Sequence, residues 1–339
     1  MDAESLIPPP RGASVPPRRG GFTLVEVLVS TVVFVLLMGI VSSVFSQASS
    51  TIRSASAQID ASQSGRTGFD VITQRLSQAT LGTYWDYHYP NNDSTKPPDR
   101  YTRRSDLHFL IAANGNSHAL FFQAPEATSQ NPGYQRTQGL LNACGYFVQY
   151  CNDDPNDTTH PNYQRPTHAA KSRWRYRLMQ AVQPTENLAV FTDAASSGWT
   201  AAVKNTAWPI ADNVIALVAW PRLTAAEETA GGQPAGTQLT PNYLYDSRNG
   251  TATQLAQLPP MVQVTMVLID ETSAVRMDSG ATPPTAIENA LAGKFKDCSV
   301  AQYTKDLSDL QAALNTARVR YTTLNTGVTL RESKWSSTP

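Results

Sequence analysis

The sequence predicts an α+β protein: a long N-terminal helix followed by an antiparallel β-sheet head with long loops. Three observations carry this. No proline lies between Phe22 and Tyr89, so the chain can stay helical there without a break. Beyond that segment, short runs of Val, Ile, Leu, Phe and Tyr recur between stretches rich in Pro, Gly and Asn, the punctuation of strands. Only the stretch from Tyr303 to Leu314 later shows clear helical spacing of apolar residues.

The helix is the most informative element. From Phe22 to Phe45 there is one formal charge, Glu26, and the run is long enough to cross a bilayer at about 1.5 Å per residue. A carboxylate in such a helix costs roughly 2.5 to 3.5 kcal/mol on insertion scales, so it calls for a partner. It is preceded by Pro17-Arg18-Arg19-Gly20-Gly21-Phe22-Thr23. This stretch resembles the class III signal of type IV prepilins and secretion-system pseudopilins. The resemblance implies cleavage after Gly21, a mature and N-methylated terminus at Phe22, and Glu26 as the assembly acid that neutralises a neighbour's amino terminus. It also implies a pilin-like fold and, as partners, a prepilin peptidase, other pilins or pseudopilins, and an inner-membrane assembly platform with a separate ATPase.

Simpler signals fit less well. A secretory signal has an apolar region of about 7 to 15 residues and a small-x-small cleavage site, whereas this run is longer. A twin-arginine signal matches Arg18-Arg19 but not the position of Phe22 or the charge of Glu26. A plain single-span anchor explains the length and the basic flank, but not Gly21, Phe22 and Glu26 in one register.

Composition sets few further bounds. Lys+Arg and Asp+Glu number 27 each, so bulk charge does not point to nucleic acid as a partner. Loss of residues 1–21 would leave 24 basic against 25 acidic residues. The three leader arginines place that side of the span in the cytoplasm and the head in the periplasm or exterior; the resemblance then implies a single-pass inner-membrane protein that later enters a periplasmic or surface filament. That compartment permits disulfides. Cys144 and Cys151 flank a strand-like run and lie too far apart to bridge, so a bond of Cys298 with Cys144 or Cys151 stands beside the alternative of three unbridged thiols.

The organisation expected is a leader (1–21), a membrane and assembly helix (22–45), an amphipathic continuation (46–81) and a β-rich head (82–339). In the continuation, Ile52, Ile59, Phe69, Ile72 and Leu76 form a thin apolar stripe, and Gly39, Gly65 and Gly68 could bend the helix. The helix should stop near Leu81-Gly82. Tyr84 to Tyr101, with Pro90, Asn91, Asn92, Pro97 and Pro98, reads as a loop. Leu107 to Ile111 and His118 to Gln123 read as strands joined by Asn114-Gly115-Asn116, and Leu140 to Tyr150 as the next strand.

Asn152 to Asp157 opens a polar loop reaching about Ala170. Its acids could ligate calcium, but it lacks the EF-hand spacing, and His160 and His168 read as surface residues, so no metal and no cofactor is expected. Arg173 to Leu178 alternates arginine with mostly aromatic residues, a strand with its rings inward and its arginines outward. Ala211 to Trp220 reads as a central buried strand, and Arg222 to Asn249 as an exposed insertion. Leu258 to Asp270 begins a further strand after a proline stop, Tyr303, Leu307, Leu310 and Leu314 mark a helix, and Val319 to Arg331 closes the chain as a hairpin or a long bulged strand.

Short distal segments add a finer likeness. Gly145-Tyr146-Phe147-Val148, Arg175-Tyr176-Arg177-Leu178, Ala211-Asp212-Asn213-Val214, Leu258-Pro259-Pro260 leading into the Val264 strand, and Thr329-Leu330-Arg331-Glu332-Ser333-Lys334-Trp335-Ser336 resemble the Verru_Chthon cassette protein C family, and the chain is similar more broadly to large minor pilins and J-type minor pseudopilins. The function implied is a non-enzymatic minor pilin or pseudopilin of a type IV pilus-like or type II secretion-like filament. Two alternatives stand beside it: a single-span tethered enzyme or binding protein, and a DNA-capturing minor pilin resting on Arg173, Arg175 and Arg177. No GxSxG, HExxH, Walker A or GxGxxG motif supports an enzymatic head.

Overall fold

The structure is a computed structural model describing residues 23–134, 137, 139–152, 173–192, 198–230 and 236–337. The chain divides into two compact units, residues 1–54 and 55–339. Helix α1, Leu24–Leu76, contributes its first part to one unit and its last part to the other.

In the first unit, Leu24–Ile52 is the one stretch among the described residues long and apolar enough to cross a membrane, and none of it is buried. Its hydroxyls turn back on the helix: Ser30 Oγ donates to the Glu26 carbonyl at 2.6 Å and Thr31 Oγ1 to the Leu28 carbonyl at 2.8 Å. A helix in lipid must satisfy its polar groups internally in this way.

In the second unit the helix carries a buried stripe of Gly65, Gly68, Phe69, Ile72 and Leu76, spaced to lie on one face. Ile52 is exposed, Ile59 lies in the helix but its side chain is not among those described, and among the described side chains the buried stripe begins at Gly65. Gly65 and Gly68 are points of close contact with the sheets. A Cβ at Gly65 would stand 1.8 Å from Leu268 Cδ2, and one at Gly68 3.1 Å from Leu178 Cδ2. The helix ends at Leu76, earlier than expected, because Thr80 leaves to bridge with Gln123.

The strands follow as β1 (Tyr84–His88), β2 (Arg100–Arg104), β3 (Leu110–Asn114), β4 (Ser117–Pro125), β5 (Leu141–Cys151) and β6 (Arg175–Gln183). Next come α2 (Trp199–Lys204), β7 (Ala207–Asp212), β8 (Val214–Arg222), α3 (Ala225–Ala230), β9 (Tyr245–Asp246) and β10 (Met261–Ile269). Helices α4 (Glu271–Arg276), α5 (Thr285–Leu291) and α6 (Val300–Thr316) precede β11 (Tyr321–Thr329). All pairings are antiparallel: a six-stranded sheet β7-β6-β5-β4-β3-β9, a three-stranded sheet β11-β10-β8, and the ribbon β1-β2. Leu178 belongs to the first sheet and Leu268 to the second, so the glycine face of α1 touches both.

Ala211 to Trp220 is not one strand. At Asn213, φ is +63°, a left-handed conformation that Asn tolerates, and the chain passes there from the six-stranded sheet to the three-stranded one. β8 is therefore an edge strand, yet it is buried. Its outward backbone groups are met by β4: Ser117 Oγ accepts from Leu217 N at 2.8 Å and donates to Leu217 O at 2.9 Å, and His118 Nδ1 accepts from Ala219 N at 3.1 Å. Side chains thus close an edge that would otherwise invite pairing.

Three further expectations are corrected. Tyr84 to Tyr101 is not all loop, because its Tyr, Trp and Thr flanks pair as β1 and β2, and the prolines and asparagines occupy only the connection. The insertion is not all exposed: Tyr243 sits between the His118 and Trp220 rings, and Tyr245 meets Phe109 edge-on with centroids 5.8 Å apart. These aromatic rings anchor the segment, and Leu239, Thr240, Tyr243, Tyr245 and Ser247 are buried with them while Pro241 and Asn242 stay exposed. Finally, β6 is buried along its whole length, so Arg175 and Arg177 are not on an outer face. The hairpin at Gly115, the strands β5 and β10, and α6 lie where the sequence places them, and β11 is one continuous strand.

Candidate functional site

Of the expected processing and assembly residues, Gly21 and Phe22 lie outside the described residues, and Glu26 lies in the first turn of α1. Thr23 precedes the helix, and its Oγ1 accepts from Glu26 N at 3.3 Å. Thr-x-x-Glu is capping-box spacing, so Glu26 occupies the third helical position, where free N–H groups and the helix dipole favour a carboxylate. Around it the surface is aliphatic: Leu24, Val25, Val27, Leu28 and Val29 are all exposed. The carboxylate has no ion-pair partner among the described residues. An exposed apolar helix with one carboxylate in its opening turn is suited to sit in lipid, and to pack sideways on another helix that supplies a positive charge at that depth.

The head's polar clusters are internal. Arg177 Nε donates to Asp212 at 2.8 Å and its Nη1 to the Cys151 carbonyl at 2.8 Å. Arg175 donates to Asp278 at 2.8 Å and to Glu271 at 3.2 Å. Arg173 alone of the three is largely exposed, with Asp212 and Glu271 at 3.9 and 3.8 Å. A phosphate-binding surface built on all three is therefore not formed, because two guanidinium groups are spent on carboxylates in the interior.

Both histidines that are buried among the described residues, His108 and His118, serve structural hydrogen bonds. Trp199 Nε1 donates to His108 Nδ1 at 2.9 Å, so His108 Nε2 carries the proton and donates to Asp246 at 2.8 Å. Burial alone would raise the Asp246 pKa, but hydrogen bonds from His108 and from the Asn249 and Arg248 amides outweigh it and hold the group at about 2. His118 accepts from Ala219 N and donates Nε2–H to the Phe295 carbonyl at 3.3 Å. Burial disfavours its charged form and lowers its pKa to about 4. Neither ring keeps a nitrogen for a substrate.

Cys144, Cys151 and Cys298 are buried and unbridged, so the bond of Cys298 with Cys144 or Cys151 is not formed in this structure. Cys298 Sγ donates to the Thr240 carbonyl at 2.6 Å and Cys144 Sγ to Glu126 at 3.3 Å. Burial pushes both thiols up, and the Glu126 charge adds to the effect at Cys144. Among the described residues no group of three His, Cys, Asp or Glu side chains could hold a metal ion. The loop from Asp153 to Ala170, with His160 and His168, lies outside the described residues.

One surface feature went unread in the sequence. The β1-β2 ribbon presents Tyr84, Trp85, Tyr87 and Tyr101 to solvent beside Arg100, Arg103 and Arg104. The period-two run Tyr84-Trp85-Asp86-Tyr87-His88 was the available signal, and the proline-rich stretch after it obscured it.

A family model described as the prokaryotic N-terminal methylation motif matches residues 16–42. No curated protein and no solved structure matches the chain. The chain thus carries a type IV pilin-like class III signal ahead of a membrane-anchoring helix. The signal implies processing by a prepilin peptidase and assembly with other pilins.

Proposed function

We propose that this chain is a minor pilin or pseudopilin, a structural, non-enzymatic subunit of a type IV pilus-like or type II secretion-like filament. The observation that supports it best is the methylation motif at residues 16–42 running into an apolar helix whose single carboxylate, Glu26, stands in the first turn. Cleavage after Gly21 leaves a methylated Phe22 as the mature terminus. In the membrane Glu26 is a costly lone charge, and in a filament it neutralises the amino terminus of the neighbouring chain. Removing that charge from hydrocarbon, together with packing of the Val- and Leu-rich helix surface, drives extraction into the helical bundle.

The size of the head favours a low-copy subunit near the tip, in line with the likeness to J-type minor pseudopilins and the Verru_Chthon cassette protein C family. Retention of Glu26 argues for a position beneath another subunit. The leader lies in the cytoplasm and the head in the periplasm or on the surface filament. A separate platform and ATPase supply the work of assembly.

The test is Glu26→Ala beside Glu26→Gln in cells that make the other pilins. Both variants should be inserted and cleaved normally but recovered in the membrane rather than in sheared filaments. Wild-type recovery in filaments for both would show that the carboxylate has no role in assembly.

A further inference from the structure

Two adjoining grooves mark one side of the head. The larger, about 730 Å³, lies between the β1-β2 ribbon and the segment from Ser247 to Gln257, and takes in Arg100, Arg103, Arg104 and Arg248. The smaller, about 410 Å³, shares Arg103 and Gln257 with it and adds Arg331 and Lys334. The acidic residues lining the pair are Asp106 and Glu332. On a chain of zero formal charge, six basic groups outnumber these two acids and the two carboxylates beside them, Asp86 on Arg104 and Asp99 near Arg100, which leaves a local excess of positive charge.

The guanidinium groups of Arg100, Arg103 and Arg104 are not consumed by internal partners, while Arg248 is held in place. Arg248 is anchored on the Asp106 and Val190 carbonyls at 2.6 and 2.9 Å. Arg104 spends Nε on Asp86 at 2.8 Å, and Arg103 spends Nη1 on Gln257 at 2.8 Å. Arg100 is exposed, and its side chain makes no hydrogen bond or ion pair with the described residues. The basic residues of the larger groove are all arginines, whose forked donors suit phosphate oxygens better than a point charge does.

Rings stand beside these charges. Tyr84 and Phe191 line the larger groove, 45% and 52% exposed. Trp85, 62% exposed, carries the Arg103 guanidinium over its face at 5.5 Å. An acidic peptide or a simple polyanion would use the arginines and leave the rings idle. A duplex keeps its bases stacked inside, out of their reach. Arginines that track a backbone, interleaved with exposed aromatic faces, match a strand of unpaired nucleotides.

We propose that this groove binds single-stranded nucleic acid, with phosphates on Arg100, Arg103 and Arg104 and bases on Tyr84 and Phe191. The site is separate from the internal arginines of β6 and does not depend on assembly into a filament. It departs from the expectation drawn from bulk charge, because the charges are gathered rather than numerous.

The probe is a fluorescein-labelled oligo-dT of about 20 nucleotides, titrated with the full chain in detergent and followed by anisotropy across a salt series. Three to four phosphate contacts predict a log–log salt slope of about −2 to −3. The Arg100→Gln, Arg104→Gln double variant, which removes two contacts, should lower its magnitude by about 1.4. Phe191→Ala, at an exposed site, should weaken binding about five- to a hundredfold and leave the slope unchanged. Duplex DNA and polyglutamate should compete poorly. Absence of binding at low salt, or equal competition by polyglutamate with Phe191→Ala neutral, would overturn the assignment; the latter result would mark a surface for acidic protein segments.

Discussion

Gly65 offers the sharpest test of how α1 is seated on the head. Elsewhere in an exposed helix interior, Gly→Ala stabilises by about 1 kcal/mol, because alanine loses less backbone freedom. Here the new Cβ would lie 1.8 Å from Leu268 Cδ2, whereas carbon atoms in contact sit about 3.5 to 4.0 Å apart. Leu268 is buried in β10 and shares a sheet with β8 and β11, so the methyl cannot simply swing into solvent. Overpacking of this kind costs about 1 to 3 kcal/mol, which offsets the helical gain and leaves Gly65→Ala about 0 to 2 kcal/mol less stable than wild type. Gly39→Ala, with nothing within 4 Å, should not destabilise at all. The assay is chemical denaturation of the detergent-solubilised chain, with Leu268→Ala and the double variant completing a cycle. Leu268→Ala alone should cost about 2 to 5 kcal/mol, and less in the double variant, where the added methyl on the helix fills part of the space. The expected coupling is about 0.5 to 3 kcal/mol. Stabilisation by Gly65→Ala of about 1 kcal/mol with zero coupling would refute this seating.

Two further outcomes follow from the head's interior. His118 has a folded-state pKa of about 4 against about 6.5 unfolded, so the unfolded chain binds the proton first as pH falls. Stability should therefore drop by roughly 3 kcal/mol from above pH 6.5 to about pH 4. His118→Gln should flatten that window in pH-dependent melts, while Asp246, lowered to about 2, acts only in stronger acid. Arg177→Ala should destabilise by about 3 kcal/mol in denaturation. It opens a cavity and strands the Cys151 carbonyl, whereas Asp212, 40% exposed, can turn to water. A change below about 1 kcal/mol would show that the guanidinium is not holding the strand ends together.

The parts of the fold that could be read in the sequence are those whose cause is local. Val262, Val264 and Met266 announce β10, and Tyr303, Leu310 and Leu314 announce α6, because burial on one element leaves a period. What could not be read depends on distant neighbours. Alternation of arginine and aromatic residues at Arg173 to Leu178 ordinarily means one wet face, and only the arrival of Asp212, Glu271 and Asp278 makes two buried arginines tolerable. The sheet switch at Asn213 and the aromatic plug at Tyr243 are likewise properties of the assembled core. Gly65 and Gly68 were visible as glycines, but their use as contact points needed the positions of Leu268 and Leu178. For the candidate site the balance is reversed: Gly21, Phe22 and Glu26 are a linear motif that can be read without any tertiary contact, whereas the arginine groove joins Arg100 to Arg248 and Arg331 from far along the chain.

The most direct test of the central claim is the intact mass and N-terminal sequence of the chain made with and without a prepilin peptidase, beside Gly21→Ala. A terminus at methylated Phe22 that requires the peptidase and is lost in the variant is the expected result. A chain left uncut in the presence of the peptidase, or cut after the apolar run at Ser46 to Ala48 as a secretory signal would be, would contradict it and leave the head as the domain of an anchored or secreted protein.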